Sequence, residues 1–142
     1  MSAFLTPLDM RLMRDASGLP LLTRQGRQLY QLLAPFRYQS DVAGLVEVPE
    51  GFVTDLASFP QWALALLGDI GQQPAVPHDF IYNMHTVPRE TADAMLYEAC
   101  LLTGVPRWKA WSIYIGVRIG GASHWNPSPD EVNHAQQKEP AA

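Results

Sequence analysis

The residues able to do chemistry gather at Thr54-Asp55 and at His78-Asp79, with a further carboxylate at Asp93. On a helix His78, Tyr82 and His85 fall at i, i+4 and i+7 and so share a face, while Asp79 points about a quarter-turn away. An imidazole titrates near neutrality and suits general-base work, and an adjacent carboxylate can hold a cation or a second group. The plain alternative is a helix-terminal histidine bonded to a backbone group. Asp93 stands on an otherwise apolar helical stripe, where a carboxylate needs a partner or its pKa rises. His78 and Arg118 are the best candidates for that partner. The plain alternative for Asp93 is a wet position near a helix N-terminus, favoured by the dipole.

Asp55 lies in the run Gly51-Phe52-Val53-Thr54-Asp55-Leu56-Ala57-Ser58-Phe59-Pro60, a corner between a strand and a helix. It could bind a metal, orient His78 or pair with Arg118. Ser58 stands where a nucleophile could, yet Ser58-Phe59-Pro60-Gln61 reads as a capping box, which explains the serine without catalysis. His124, before Trp125 and after Gly120-Gly121, could reach the site from a loop. His134 sits in the tail and carries no argument. His78 and His85 are too far apart in sequence for two imidazoles of one helix face to grip zinc. Asp55 and Asp79 with backbone carbonyls would better suit Ca²⁺ or Mg²⁺. No glycine-rich phosphate loop precedes a helix.

Elements must position these groups. Leu8 to Met13, Gln28 to Leu33, Phe36 to Gln39, Leu45 to Val48 and Phe52-Val53 are short runs broken by Asp15-Ala16-Ser17-Gly18, Ala34-Pro35 and Pro49-Glu50-Gly51, which predicts a small antiparallel sheet. Helices follow. Trp62 to Leu67 carries an apolar face and Gly68 stops it. Gly71 to Ala75 reads as a loop, and a short helix runs from Pro77 to Met84. Thr86 would cap the next, with Pro88 in its first turn. There Asp93, Leu96, Tyr97, Cys100, Leu101 and Gly104 form one stripe. Pro106 opens a last helix, whose stripe reads Trp111, Tyr114, Ile115, Arg118, and Gly120-Gly121 ends it. The prediction is an α+β fold, a small N-terminal antiparallel sheet followed by three to four helices. One domain would span residues 1–125, with 126–142 a loosely ordered tail.

Composition narrows the rest. The chain has 142 residues, 47% of them apolar, enough for one core without staples. Net charge is -4, and the 10 Lys and Arg form no run, which argues against nucleic acid or an anionic membrane held by bulk charge. The single cysteine, Cys100, cannot form an internal disulfide and reads as a small core residue on a helix. Met1 to Arg14 shows no targeting segment, and Phe59 to Leu67 is too short to span a bilayer. The expected start is the cytoplasm, with export or assembly into a particle open.

The runs Val48-Pro49-Glu50-Gly51-Phe52-Val53-Thr54-Asp55-Leu56-Ala57-Ser58-Phe59-Pro60, His78-Asp79-Phe80-Ile81-Tyr82 and Arg89-Glu90-Thr91-Ala92-Asp93, with Gly104 to Trp108 and Val117 to Gly121, resemble a family of tailed-phage and prophage proteins of unknown function. The likeness covers residues 30 to 122 and implies phage origin without an activity. His78-Asp79-Phe80-Ile81-Tyr82-Asn83 followed by Asp93 also looks like the active-site helices of His-Asp type secreted phospholipases. That resemblance implies His78 as the base, Asp79 as a Ca²⁺ ligand and Asp93 as the group orienting the histidine. The chain lacks the disulfides of those enzymes, and Gly68 to Gly71 is a faint counterpart of their calcium loop.

Two functions follow as expectations. One is a metal-assisted hydrolase of a late, lysis or tail module, acting on lipid or cell-wall bonds. In it His78 and Asp93 are catalytic, Asp79 and Asp55 hold a divalent cation (Ca or Mg), and Tyr82, Arg118, His85 and His124 lie nearby. The other is a non-catalytic virion (tail or baseplate) or assembly protein with other phage structural proteins as partners, its His/Asp cluster a structural polar network. A small inhibitor of a host protein is a third idea, resting on size and acidity alone.

Overall fold

The computed structural model describes residues 1–125, so the expected tail and His134 lie outside the described residues. The first half forms two three-stranded antiparallel sheets rather than one. In the first, β4 (Phe36–Ser40) pairs with β1 (Ala3–Phe4) on one side and β5 (Gly44–Val48) on the other. Alternation along β4 sends Phe36, Tyr38 and Ser40 inward. Arg37 faces Glu47 directly across the ladder, 2.9 Å apart on the wet side. In the second sheet, β3 (Tyr30–Leu32) lies between β2 (Met10–Leu12) and β6 (Val53–Thr54). The last strand is short, but it delivers Thr54 to the interior.

The second half is helical. After α1 (Gln61–Leu67) and a 3₁₀ turn at Gly68–Gly71 come α2 (Gln72–Met84), α3 (Arg89–Leu102), α4 (Arg107–Gly120) and the single turn α5 (Ala122–Trp125). No helix among the described residues is long and apolar enough to cross a membrane. One core joins both halves, with Phe36, Tyr38, Val48, Phe59, Ile81, Met95, Leu96 and Ile113 sealed in it. Each large apolar side chain so buried contributes about 1.5–3 kcal/mol. Tyr38 also ties sheet to helix, its hydroxyl donating to Glu98 on α3 at 2.6 Å. Cys100 is buried on α3, and burial pushes its thiol up to about 12.

Four local readings are corrected. The stretch read as a loop before Pro77 is the start of α2. Pro74 falls in its first turn, where no amide partner is lost, and Pro77 sits inside the helix. The helix survives Pro77 because every residue from Pro74 to Asp79 is buried, so tertiary packing outweighs the missing amide bond. The capping box at Ser58 does not form: the N-cap of α1 is Pro60, with no side-chain cap. Thr86 likewise does not cap α3, whose N-cap is Pro88. Finally, α4 buries Ala110, Ile113 and Val117, not the stripe of Trp111, Tyr114, Ile115 and Arg118. Small and β-branched residues allow the close approach to α3, and the bulky residues turn outward.

Candidate functional site

The site is built where β6 runs into α1, above α2 and α3. Thr54 ends the strand, and its hydroxyl donates to Asp79 Oδ2 while accepting from the Leu56 amide at 3.0 Å. Leu56 is buried and holds φ at +59°, a left-handed conformation that a branched residue rarely adopts. The Asp55 carboxylate accepts from the Ala57 amide at 3.0 Å, and Arg27 binds the Asp55 and Leu56 carbonyls from outside. This turn aims Ser58 into the interior. Its amide donates to Asp79 Oδ1 at 3.2 Å, and its hydroxyl meets His78 Nδ1 at 3.0 Å.

The chain of contacts continues through the imidazole. His78 Nε2 lies 2.8 Å from Asp93 Oδ1. The Tyr82 hydroxyl donates to the same oxygen at 2.6 Å, and its ring packs on the imidazole with centroids 4.3 Å apart. Arg118, from α4, donates to Asp93 Oδ2 at 2.7 Å. Both partners that the position of Asp93 called for are therefore present. Burial raises the Asp93 pKa, but hydrogen bonds from His78 and Tyr82 and the positive charge around it outweigh that, and the carboxyl ends below its ordinary value. Asp93 thus engages one ring nitrogen of His78, Nε2, while the other, Nδ1, faces the Ser58 hydroxyl.

Asp79 has the opposite balance. Burial, then the charge of Asp55, pushes its pKa up despite the bonds from Thr54 and Ser58. Asn83 donates to its carbonyl at 2.8 Å and toward Oδ2 at 3.4 Å. Both carboxylate oxygens of Asp79 are thus engaged by protein donors. Among the described residues no group of three or more His, Cys, Asp and Glu converges on one point. That donor set does not fit a Ca²⁺ or Mg²⁺ ion shared between Asp79 and Asp55.

The cluster is shut. His78 and Asp93 are fully buried, with Ser58 and Asp79 at 3% and 5% exposure. Arg118 reaches solvent at one edge, with 29% of its side chain exposed, and Asn83 at another. An open cavity of about 480 Å³ lies on the other side of the corner, lined by Arg27, Tyr30, Asp55, Gln61 and Asp69 among others, and does not include Ser58 or His78.

Two expected members stand apart. His85 does not share the face of His78 and Tyr82, because α2 ends at Met84 and His85 turns left-handed at φ +54°. Its ring stacks on Trp125 at 3.9 Å, and its Nε2 lies 2.9 Å from the Trp125 carbonyl. His124 is half-buried on α5 and makes no hydrogen bond to the cluster. Asp55 contacts neither His78 nor Arg118, and serves the turn instead. Ser58, which the capping-box spacing assigns to the helix start, belongs in the network instead. Arg89, present only as part of a motif, donates to the Val117 and Arg118 carbonyls at 3.3 and 2.8 Å and so secures the end of α4 that carries Arg118.

An α+β chain with a sealed Ser-His-Asp network under a strand-to-helix corner is the class that fold and site define. The chain belongs to the family described as Protein of unknown function (DUF1353), which it matches over residues 30–117. That span holds Thr54, Ser58, His78, Asp79 and Asp93. No curated protein and no solved structure matches it.

Proposed function

We propose that this chain is a non-catalytic phage virion or assembly protein whose Ser58-His78-Asp93 network locks the helices to the sheet. The likeness of its motifs to tailed-phage proteins supports the phage setting. The observation that carries the non-catalytic reading is closure. The side chains of Ser58, His78, Asp79 and Asp93 are at most 5% exposed, and Arg89 Nε is the one buried side-chain polar atom among the described residues without a partner. A general base needs a free lone pair within reach of water or substrate. Here Nδ1 faces Ser58 and Nε2 faces Asp93. Such a network joins four segments at one point: the β6–α1 corner, α2, α3 and α4. Its made bonds fix their mutual placement, and a partly broken one would be costly.

One observation favours a second reading. Ser58, His78 and Asp93 line up as nucleophile, base and orienting acid, with the imidazole reversed so that the serine meets Nδ1. Hydrolysis of a lipid or cell-wall ester or amide would then require the corner to open. A single experiment separates the two. Purified protein is incubated with phospholipid vesicles and with peptidoglycan in Ca²⁺, Mg²⁺ or Zn²⁺, and His78→Ala is melted beside wild type. No turnover together with a large fall in melting temperature is expected. Turnover that His78→Ala abolishes at unchanged melting temperature would overturn the proposal.

A further inference from the structure

The outward side of α4 is apolar. Ala110, Ile113 and Val117 take the buried side. At about 100° per residue, Trp108, Ile115 and Ile119 fall within roughly 30° of the direction facing away from it. They are exposed by 68%, 37% and 81%. Trp111, 54% exposed, widens the face on one flank. On the other flank stands Gly116. A methyl group there would lie 3.4 Å from Trp62 Cζ2 and 3.5 Å from Pro60 Cγ, so the start of α1 rests on α4 at that point. Trp62 and Leu66, each about half exposed, extend the patch onto α1.

Its size can be set against what association needs. At ~150–250 Å² for a whole aromatic side chain, these partly exposed tryptophans and aliphatics leave roughly 600 Å² of apolar surface. That reaches the upper end of the ~300–600 Å² found for the largest patch on a monomer, and approaches the ~800 Å² per partner of a standard interface before any rim atoms are added.

Charge decides the occupant. Between Glu98 and Asp130 the sequence holds Arg107, Lys109 and Arg118 and no carboxylate. Arg118 is committed to Asp93, and Arg107 and Lys109, which form no ion pair among the described residues, stand at the N-terminal end of α4. A bilayer surface is a poor match, because two free cations on a chain of net charge -4 make no polybasic anchor. A second copy laid antiparallel is a good one. It sets Arg107 against the Gly120-Gly121 end of the other α4, where the helix dipole is negative. It also places Trp108 opposite Ile119. A parallel copy would instead set Arg107 on Arg107.

We propose that this face is a homodimer interface, in which two copies of the chain pack α4 against α4 antiparallel across a two-fold axis. An isologous contact of this kind closes on itself and buries the patch on both subunits at once. It stands on a different part of the molecule from the buried network and holds whichever reading of that network is right.

Sedimentation velocity of the full chain across the micromolar range tests it. Wild type is expected at twice 15.8 kDa. Trp108→Glu/Ile119→Glu is expected at the monomer mass with an unchanged circular dichroism spectrum. Direction is read by cross-linking: Trp108→Cys mixed with Ile119→Cys forms a covalent dimer under oxidation, and neither variant alone does. A monomeric wild type overturns the proposal without any variant being needed. So does a dimer that survives both glutamates, or Ile119→Cys linking to itself. A monomer that pellets with phosphatidylglycerol vesicles through Trp108 would assign the face to lipid instead.

Discussion

His78 Nε2 stands 2.8 Å from Asp93 Oδ1, a contact between α2 and α3 with both side chains fully buried. The same carboxylate receives Tyr82 and Arg118, so one group on α3 gathers three donors from α2 and α4. Two helices packed by apolar side chains alone can slide by a fraction of a turn at modest cost. A carboxylate that must satisfy three directional donors cannot. The pair therefore sets the register of α2, α3 and α4 relative to one another, and Ser58 extends that register to the β6–α1 corner.

Removing the acceptor should be costly. Asp93→Ala leaves Arg118, Tyr82 and His78 without their common partner, and breaking a buried pair in this way costs about 3–5 kcal/mol. For a domain of this size that is a fall in melting temperature of roughly 10 °C or more. Asp93→Asn, which keeps one acceptor oxygen, should lose less. Thermal melts followed by circular dichroism give both values. An Asp93→Ala protein that melts with wild type would remove the network from any structural role.

Much of this was legible in the sequence. The α+β division followed from short punctuated runs giving way to helical stripes. Asp93 announced itself because a carboxylate among Leu96, Cys100 and other apolar residues cannot stay unpaired. Ser58 was not legible in the same way. Its spacing to Gln61 satisfies a capping box equally well, and only the left-handed Leu56 decides that the serine points inward. His85 was misplaced because helix periodicity says nothing of where the helix ends. The α4 face failed for a related reason: both sides of that helix are apolar, so periodicity offers two stripes, and packing against α3 chooses the slimmer one.

Arg89 should matter through α4 rather than through the carboxylates. Its guanidinium donates to the Arg118 carbonyl and to the Val117 carbonyl, which also accepts from the Gly121 amide, and so holds the last turn of the helix. Arg89→Ala should cost about 1–3 kcal/mol, as charge-assisted bonds of this kind do. Both bonds leave from one nitrogen, Nη2, so Arg89→Lys, whose ammonium also donates to several acceptors from one nitrogen, should recover part of it. Urea unfolding midpoints of the two variants check this, and full rescue by lysine would show that charge alone suffices.

Gly121 has no room for a side chain. A methyl group there would come within 2.6 Å of the Tyr82 hydroxyl and 2.3 Å of the Val117 carbonyl. Gly121→Ala should therefore displace the Tyr82 hydroxyl from Asp93, at about 1–3 kcal/mol for overpacking. Tyr82→Phe removes one of the two clashes and should make the alanine less costly. A double-mutant cycle on thermal stability measures the coupling, and strict additivity would place the clash wholly on the Val117 carbonyl.

The two carboxyls shifted in opposite directions predict a stability profile that falls at both ends. Asp93 is held below the ordinary carboxyl value of 3.8, so its contribution is present above that pH and is lost as pH falls through the lower, folded value. Asp79 is pushed above 3.8, so the protonated form favours the fold, and its contribution is full below 3.8 and is lost as pH rises through the higher, folded value. Asp79→Asn is neutral at every pH and can still accept from the Ser58 amide. It should therefore flatten the decline on the rising side while leaving the acid side unchanged. Asp93→Asn should do the reverse from a lower starting stability. Urea midpoints measured from pH 3 upward separate the two limbs, and a rising-side decline of the same slope in Asp79→Asn and wild type would rule out the buried Asp79 as its source.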